Sequence, residues 1–356
     1  MKLSNHQLEH VTSRRGESSG KQSALTKLCA SQGVGLWIKG GALALLLLLA
    51  LLGPTYLDLY DLTLAFALFN YITLAQSWNL VGGYGGQFSL GHSLFVGVGA
   101  YAVSVLLLHT DLPLYLTILF SGCLASAIAT LAALLLMRLR EAYFSIGSLG
   151  LTLAALTWMI NWSYTGQTSG LNLPASATLS YTTFYYLSLG LLVLTMACIA
   201  LLVRSAFGLR LMAIRDDAEA AAELGVNSFP VKLATFAISA FFIGIAGAFI
   251  ALNNLSIEPN SIFSMDWVTT MIIITVIGGI STSIGPLIGA VVFFTLQQSL
   301  QSYQNVSTLL TGILLILIIR LMPEGIWLTL LKGFRWLTQE LLKVRSRAPI
   351  QAEKDA

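Results

Sequence analysis

Charge is what this chain has least of. Its 356 residues include only 19 Lys and Arg and 16 Asp and Glu, 10% in all, where soluble globular chains carry about 25%. Hydrophobic residues make up 56%, with 31 glycines besides, so there is too little polar surface to coat a water-soluble body of this size. That scarcity excludes a soluble enzyme, a disordered chain and a nucleic-acid-binding module. Cysteine is scarcer still: Cys29, Cys123 and Cys198 stand far apart, with no CxxC pair and no metal-ligand spacing. Of the four histidines, His6 and His10 lie in the polar N-terminal stretch and His109 at an external helix end, and only His92 lies in interior text, where it reads as a hydrogen-bonded packing residue. No HExxH, no nucleophile elbow and no paired carboxylates occur inside an apolar run. An enzyme embedded in a membrane therefore has nothing to work with.

What is present is a succession of apolar runs, each near the roughly 20 residues that a helix needs to cross a bilayer. They fall at about 36–53, 61–80, 88–108, 113–137, 142–162, 184–203, 231–252, 266–280, 284–302 and 307–322. The pattern predicts an all-α polytopic membrane protein with about ten transmembrane segments, eight at the lower bound. The run 266–280 is either a full span or a re-entrant half-helix, because Gly278-Gly279 and Gly285-Pro286 separate it from the next. The first run lacks a small-x-small cleavage site and begins late, which predicts a retained span. Half of the charges, 18 of 35, sit in 1–39 and 323–356. The expected organisation is a polar, disordered extension over 1–35, a transmembrane domain over 36–322 and a polar tail over 323–356. Gly16-Glu-Ser-Ser-Gly-Lys21-Gln22 resembles a phosphate loop but is one residue short, ends in Gln and follows no strand, so no ATP site is expected on this chain.

Orientation follows from the cations. When sides are alternated from an inward N-terminus, all 19 Lys and Arg fall on one side, among them Arg138, Arg140, Arg204, Arg210, Arg215 and Lys232. The opposite loops carry only Asp58, Asp61, Asp111, Glu258 and Asp266. The positive-inside rule makes the basic side cytoplasmic and places the N-terminus there. No charge lies mid-span, so the carboxylate or histidine relay of a proton-coupled carrier is missing.

Two glycine clusters interrupt the apolar text. The first is Asn79-Leu-Val-Gly82-Gly83-Tyr-Gly85-Gly86-Gln87-Phe-Ser89-Leu-Gly91-His92. Such a run cannot continue an ordinary span. It is either a tight helix crossing through Gly82 and Gly86, or a broken segment along a watery pathway, where Asn79, Gln87 and Ser89 bond the freed backbone. The second, Gly278-Gly279-Ile-Ser-Thr-Ser-Ile-Gly285-Pro286-Leu-Ile-Gly289, allows the same two readings. A third motif, Arg215-Asp216-Asp217-Ala-Glu219-Ala220-Ala221-Ala-Glu223-Leu224-Gly225, lies in the longest internal loop. Good helix formers follow an acidic start, Gly225 is a natural stop, and Pro230 prevents continuation. A helix of about ten residues along the cytoplasmic face is expected.

At these residues the chain resembles a known family. Glu219-Ala220-Ala221-x-x-x-Gly225 is similar to the EAA loop of ABC-importer permeases, and Arg215-Asp216-Asp217 before it resembles the version in branched-chain amino acid permeases of the LivM type. The first glycine cluster, Gly99-Ala-Tyr101, Tyr143-Phe144, Thr165-Gly-x-x-x-Gly-Leu171, the second glycine cluster and Pro323-x-Gly325 follow in the family's order over about 60–325. Three positions depart from the pattern: Glu141 for a usual Gly, Gln167 within the external glycine motif, and Ser281-Thr282-Ser283 in place of a more Gly-rich turn.

The resemblance implies a multi-pass subunit of a bacterial inner (plasma) membrane importer for branched-chain or neutral amino acids. It implies four kinds of neighbour: a second related permease, two cytoplasmic ATP-binding subunits, an external substrate-binding protein and lipid. ATP is bound by the partners, and this chain holds no cofactor or metal. By the same resemblance, Arg215, Asp216, Asp217, Glu219, Ala220, Ala221 and Gly225 couple to the ATPase. Asn79, Gly82, Gly83, Gly85, Gly86, Gln87, Ser89, Gly91, His92, Gly278, Gly279 and Gly285 form the breaks along the pathway. A urea or short-chain amide permease shares these motifs, and a self-sufficient carrier or channel fits the composition but needs no EAA helix.

Overall fold

Apolar runs without internal proline fold into helices, and short polar residues mark where they begin. The computed structural model of the chain describes residues 50–137, 139, 141–174, 179–300, 312, 320, 325–329 and 332. Residues 1–58 form one unit, described over its last residues as a helix end and a 3-10 turn at Gly53–Thr55 built on Pro54. The second unit begins at Leu59. The polar extension 1–35, most of the first expected span, most of the expected span 307–322 and most of the tail lie outside the described residues, as do Arg138 and Arg140.

In the second unit the helices are α1 (Leu59–Asn79), α2 (Ser93–His109), α3 (Leu114–Leu136), α4 (Glu141–Asn161), α5 (Tyr181–Arg204), α6 (Ala206–Asp216), α7 (Ala218–Glu223), α8 (Ser228–Asn254), α9 (Pro259–Ile262), α10 (Met265–Gly278) and α11 (Gly285–Leu300). Side-chain oxygens of Ser180, Asn227 and Ser264 accept backbone N–H groups at the starts of α5, α8 and α10, which satisfies donors that a helix leaves unpaired. Among the described residues, five helices are long and apolar enough to cross a membrane: Leu114–Leu136, Ala142–Asn161, Tyr181–Arg204, Ser228–Asn254 and the Pro259–Gly278 stretch. Ser93–His109 and Gly285–Leu300 are shorter apolar helices. The protein is an all-α, multi-pass membrane protein. The only strands among the described residues are β1 (Leu171–Asn172) and β2 (Ser256–Ile257), an antiparallel pair.

Helix α8 is the centre of the packing, and small residues bring its neighbours close. A side chain at Gly99 of α2 would run into the backbone of Gly244, one at Gly247 into the Val96 carbonyl, and one at Gly122 of α3 into Ile245. Without a hydrophobic drive between helices in lipid, such close approach is a main source of packing energy. Phe95, Phe144, His92 and Phe236 add edge-to-face ring contacts at 5.2–5.9 Å.

The two ends of this unit are joined differently. At one end β1 pairs with β2, Leu173 N–H donates to the Leu255 carbonyl at 2.8 Å, and His109 stacks on Tyr164 at 4.5 Å. At the other end the glycine clusters and the loop between α5 and α8 come together.

Candidate functional site at the junction of the glycine breaks

Helix α1 carries on past Asn79 as a π turn over Leu80–Tyr84, and α2 starts only at Ser93, five residues later than the apolar run suggests. A π turn widens a helix by one residue and marks functional sites disproportionately. The segment between is tied down by polar groups. Trp78 Nε1 donates to the Ser89 carbonyl at 2.9 Å, the Ser145 hydroxyl donates to the Phe88 carbonyl, and Thr152 Oγ1 donates to the Gly91 carbonyl at 3.3 Å. His92 Nε2 meets Ser239 Oγ at 3.2 Å, and Ser239 in turn donates to the Ser77 carbonyl at 2.7 Å. His92 is thus a buried packing residue between α1 and α8.

Gly82 and Gly86 do not serve one helix crossing. Gly82 lies under the ring of Trp78 in the preceding turn, and Gly86 faces Arg215. The small-residue reading does describe the second cluster: Gly278, Gly285 and Gly289 bring α10 and α11 together, with Gly289 against the Ile274 carbonyl. Gly325 packs on Gly279.

The two clusters meet. Asn79 Nδ2 donates to the Thr282 carbonyl at 3.0 Å, and Asn79 Oδ1 accepts from Ser281 N–H at 3.0 Å. Ser281 Oγ donates to the Gly83 carbonyl at 2.7 Å, the Tyr84 and Ser283 hydroxyls are 3.0 Å apart, and Gln76 Nε2 donates to the Ser283 carbonyl at 3.3 Å. Ser281 is held at φ 60° by this network, a left-handed conformation uncommon for a non-glycine residue.

The third motif reaches the same place. The expected ten-residue helix is instead two: α6 ends at Asp216, and the six-residue α7 starts after Asp217. Asp217 causes the break, because its Oδ1 accepts from the N–H groups of Glu219 and Ala220, both at 3.0 Å. It acts as an N-cap rather than a helical residue. At the far end Gly225, at φ +83°, donates its N–H to the Ala222 carbonyl while Val226 donates to Ala221, the Schellman arrangement that ends a helix. Ala221 turns inward onto a small apolar cluster with Leu80, Tyr84, Ile199, Leu211, Ile214 and Val231. Glu219, Ala220, Glu223 and Leu224 are exposed. The side of α7 that holds Ala221 therefore faces the buried cluster that Leu80 and Tyr84 of the π turn also join.

The residues that converge here lie within one family match. A family described as the branched-chain amino acid transport system / permease component matches residues 61–319. The chain belongs to that family. Among curated relatives, the high-affinity branched-chain amino acid transport system permease protein LivM of Escherichia coli strain K12 is 26% identical over 314 residues, covering 80% of this chain and 74% of the relative. LivM of Salmonella typhimurium strain LT2 is 26% identical over 311 residues, covering 79% and 73%. No solved structure matches.

Several residues of this permease junction escape a motif reading. Ser281, Thr282 and Ser283 stand out in the sequence only as departures from a Gly-rich turn, yet they supply or receive most of the bonds between the clusters. Leu224 is 85% exposed at the C-cap of α7, a position set by the Gly225 turn and not by periodicity.

Proposed function

We propose that this permease-family chain is one of the two related pore subunits of an ATP-driven importer for branched-chain or other neutral amino acids. It sits in the bacterial inner membrane, with its basic loops and N-terminus cytoplasmic and about ten spans. ATP is hydrolysed by two cytoplasmic partner subunits, and an external binding protein delivers the solute. The observation that carries the reading is the seating of α7. Its Ala221 lies in one buried cluster with Leu80 and Tyr84 of the π turn, while Glu219, Ala220 and Leu224 are exposed. A short rigid helix with one side on a pathway break and the other free is what a docked ATPase needs in order to push on the pore. Leu224 supplies an apolar knob, and the acidic residues steer approach to a basic surface. Among the described residues no Asp, Glu, Lys or Arg is buried, which suits a zwitterionic or neutral solute better than an ion.

The test is reconstitution of the full chain with its cognate subunits in vesicles. Labelled leucine should enter only when ATP and the binding protein are supplied. Uptake driven by an ion gradient alone, without ATP, would overturn the proposal.

A further inference from the structure

Arg215 belongs to the acidic loop motif, but its side chain does not point where a docking residue would. Its Cβ and Cγ lie over Gly86, close enough that a Cβ on Gly86 would come within 2.6 Å of Arg215 Cγ. Its Nη1 donates to Ser281 Oγ at 3.1 Å, and Ser281 Oγ passes the bond on to the Gly83 carbonyl at 2.7 Å. Its Nε and Nη2 both donate to Asp216 Oδ1, at 2.9 and 2.7 Å, which fixes the plane of the guanidinium. The side chain thus touches both glycine clusters at once, from the last turn of α6.

We infer that Arg215 is a positioning residue, a strut that sets the separation of the two glycine breaks and passes movement of α6 and α7 to them. This rests on the transport reading above and assigns Arg215 to the pore side of the device. The fork and the stem call for arginine, and the position opposite calls for glycine. The fork must hold Asp216 on one edge and Ser281 on the other, which a single ammonium does not do. The stem must be long enough to cross Gly86. Gly86 must have no side chain, and at φ +68° it occupies a backbone conformation that glycine accepts without strain. The Ser281 hydroxyl is then the common member of two bonds, so displacing Arg215 releases Ser281 from one partner and loosens its hold on Gly83.

Two measurements test this. In the transporter assembled from the full chain and its subunits, Arg215→Ala should lower maximal leucine uptake about tenfold, the factor that corresponds to roughly 1.4 kcal/mol. The half-saturating concentration should not change, and the ATP-binding subunits should still co-purify. Ser281→Ala should act in the same direction, and the double variant should lose less than the product of the two single losses, because both remove the Arg215–Ser281 bond. Losses that multiply, or detachment of the ATP-binding subunits, would make Arg215 a docking residue and sink the strut. The second measurement needs no transport: hydrogen exchange on the purified full chain. Arg215→Ala should speed exchange in peptides covering 82–88 and 278–284 and leave α8 peptides as they were. Unchanged exchange in both peptides overturns the strut whatever the transporter does. Faster exchange in a protein whose wild type shows no ATP-driven uptake leaves the strut standing and removes the importer reading.

Discussion

Asn79 holds Ser281 by its backbone: the Asn79 amide accepts from Ser281 N–H and donates to the Thr282 carbonyl, across 202 residues of sequence. One planar side chain satisfies both edges of a turn that has no helix of its own. Replacing it with Leu, similar in size, leaves a donor and an acceptor unpaired in a part-buried place, at a cost of about 1–3 kcal/mol for each. Asn79→Leu should therefore lower the thermal midpoint of the purified protein by several degrees. Thermal melting in detergent checks it, and an unchanged midpoint would mean that water replaces the amide.

Gly86→Leu should leave the protein inserted and abolish uptake. The side chain has no room beside Arg215, and the φ of +68° adds backbone strain of about 1 kcal/mol. Uptake and expression are measured together. Normal uptake at normal expression would show that neither the angle nor the contact matters.

Gly225→Val should weaken attachment of the ATP-binding subunits, and Gly225→Asn should largely preserve it. The open space around Gly225 rules out a clash, so the difference isolates the left-handed backbone, which Asn tolerates and a β-branched residue does not. Co-purification in detergent decides. Equal retention by both variants would detach the shape of α7 from docking.

Asp217→Ala should destabilise α7 by about 1 kcal/mol through loss of its N-cap, with Asp217→Asn close to wild type because Asn caps as well. Asp216→Ala should leave the cap intact. Substrate-stimulated ATP hydrolysis of the assembled transporter separates the two neighbours: a fall for Asp217→Ala and not for Asp217→Asn is expected, and equal behaviour would mean that charge, not capping, is needed at 217.

Topology has its own test. A cysteine placed at Asn227 should resist an impermeant reagent added outside intact cells, and one at Thr168 should react. Ready labelling at Asn227 would reverse the membrane orientation.

Most helices and the three motifs of this permease were legible in the sequence, because apolar runs, glycine clusters and the Glu219-Ala220-Ala221 helix are local signals. Their meeting was not. Asn79, Gly86 and Ser281 are joined by folding over about 200 residues, and nothing in their spacing announces it. The residues most informative about the junction were those that broke the family pattern. Ser281-Thr282-Ser283 substitute side-chain hydroxyls where a glycine turn would rely on backbone alone. The run around Asp217 misled for the opposite reason: Asp, Ala and Glu favour a helix on average, but an aspartate whose oxygen reaches two N–H groups ahead of it starts a new helix instead of extending the old one.

The strand clasp between Leu171–Asn172 and Ser256–Ile257 gives the molecule leverage. Helix α8 runs 27 residues from the α7 junction almost to that clasp, a lever of about 40 Å at 1.5 Å per residue. With the clasped end as fulcrum, a tilt of about 5° sweeps the other end through roughly 3.5 Å over that length. That is about the length of one hydrogen bond. The end that moves furthest carries Val231, which shares one buried cluster with Ala221 of α7 and Leu80 of the π turn, so a small tilt at the clasp is felt most where the loop helices meet the first glycine break.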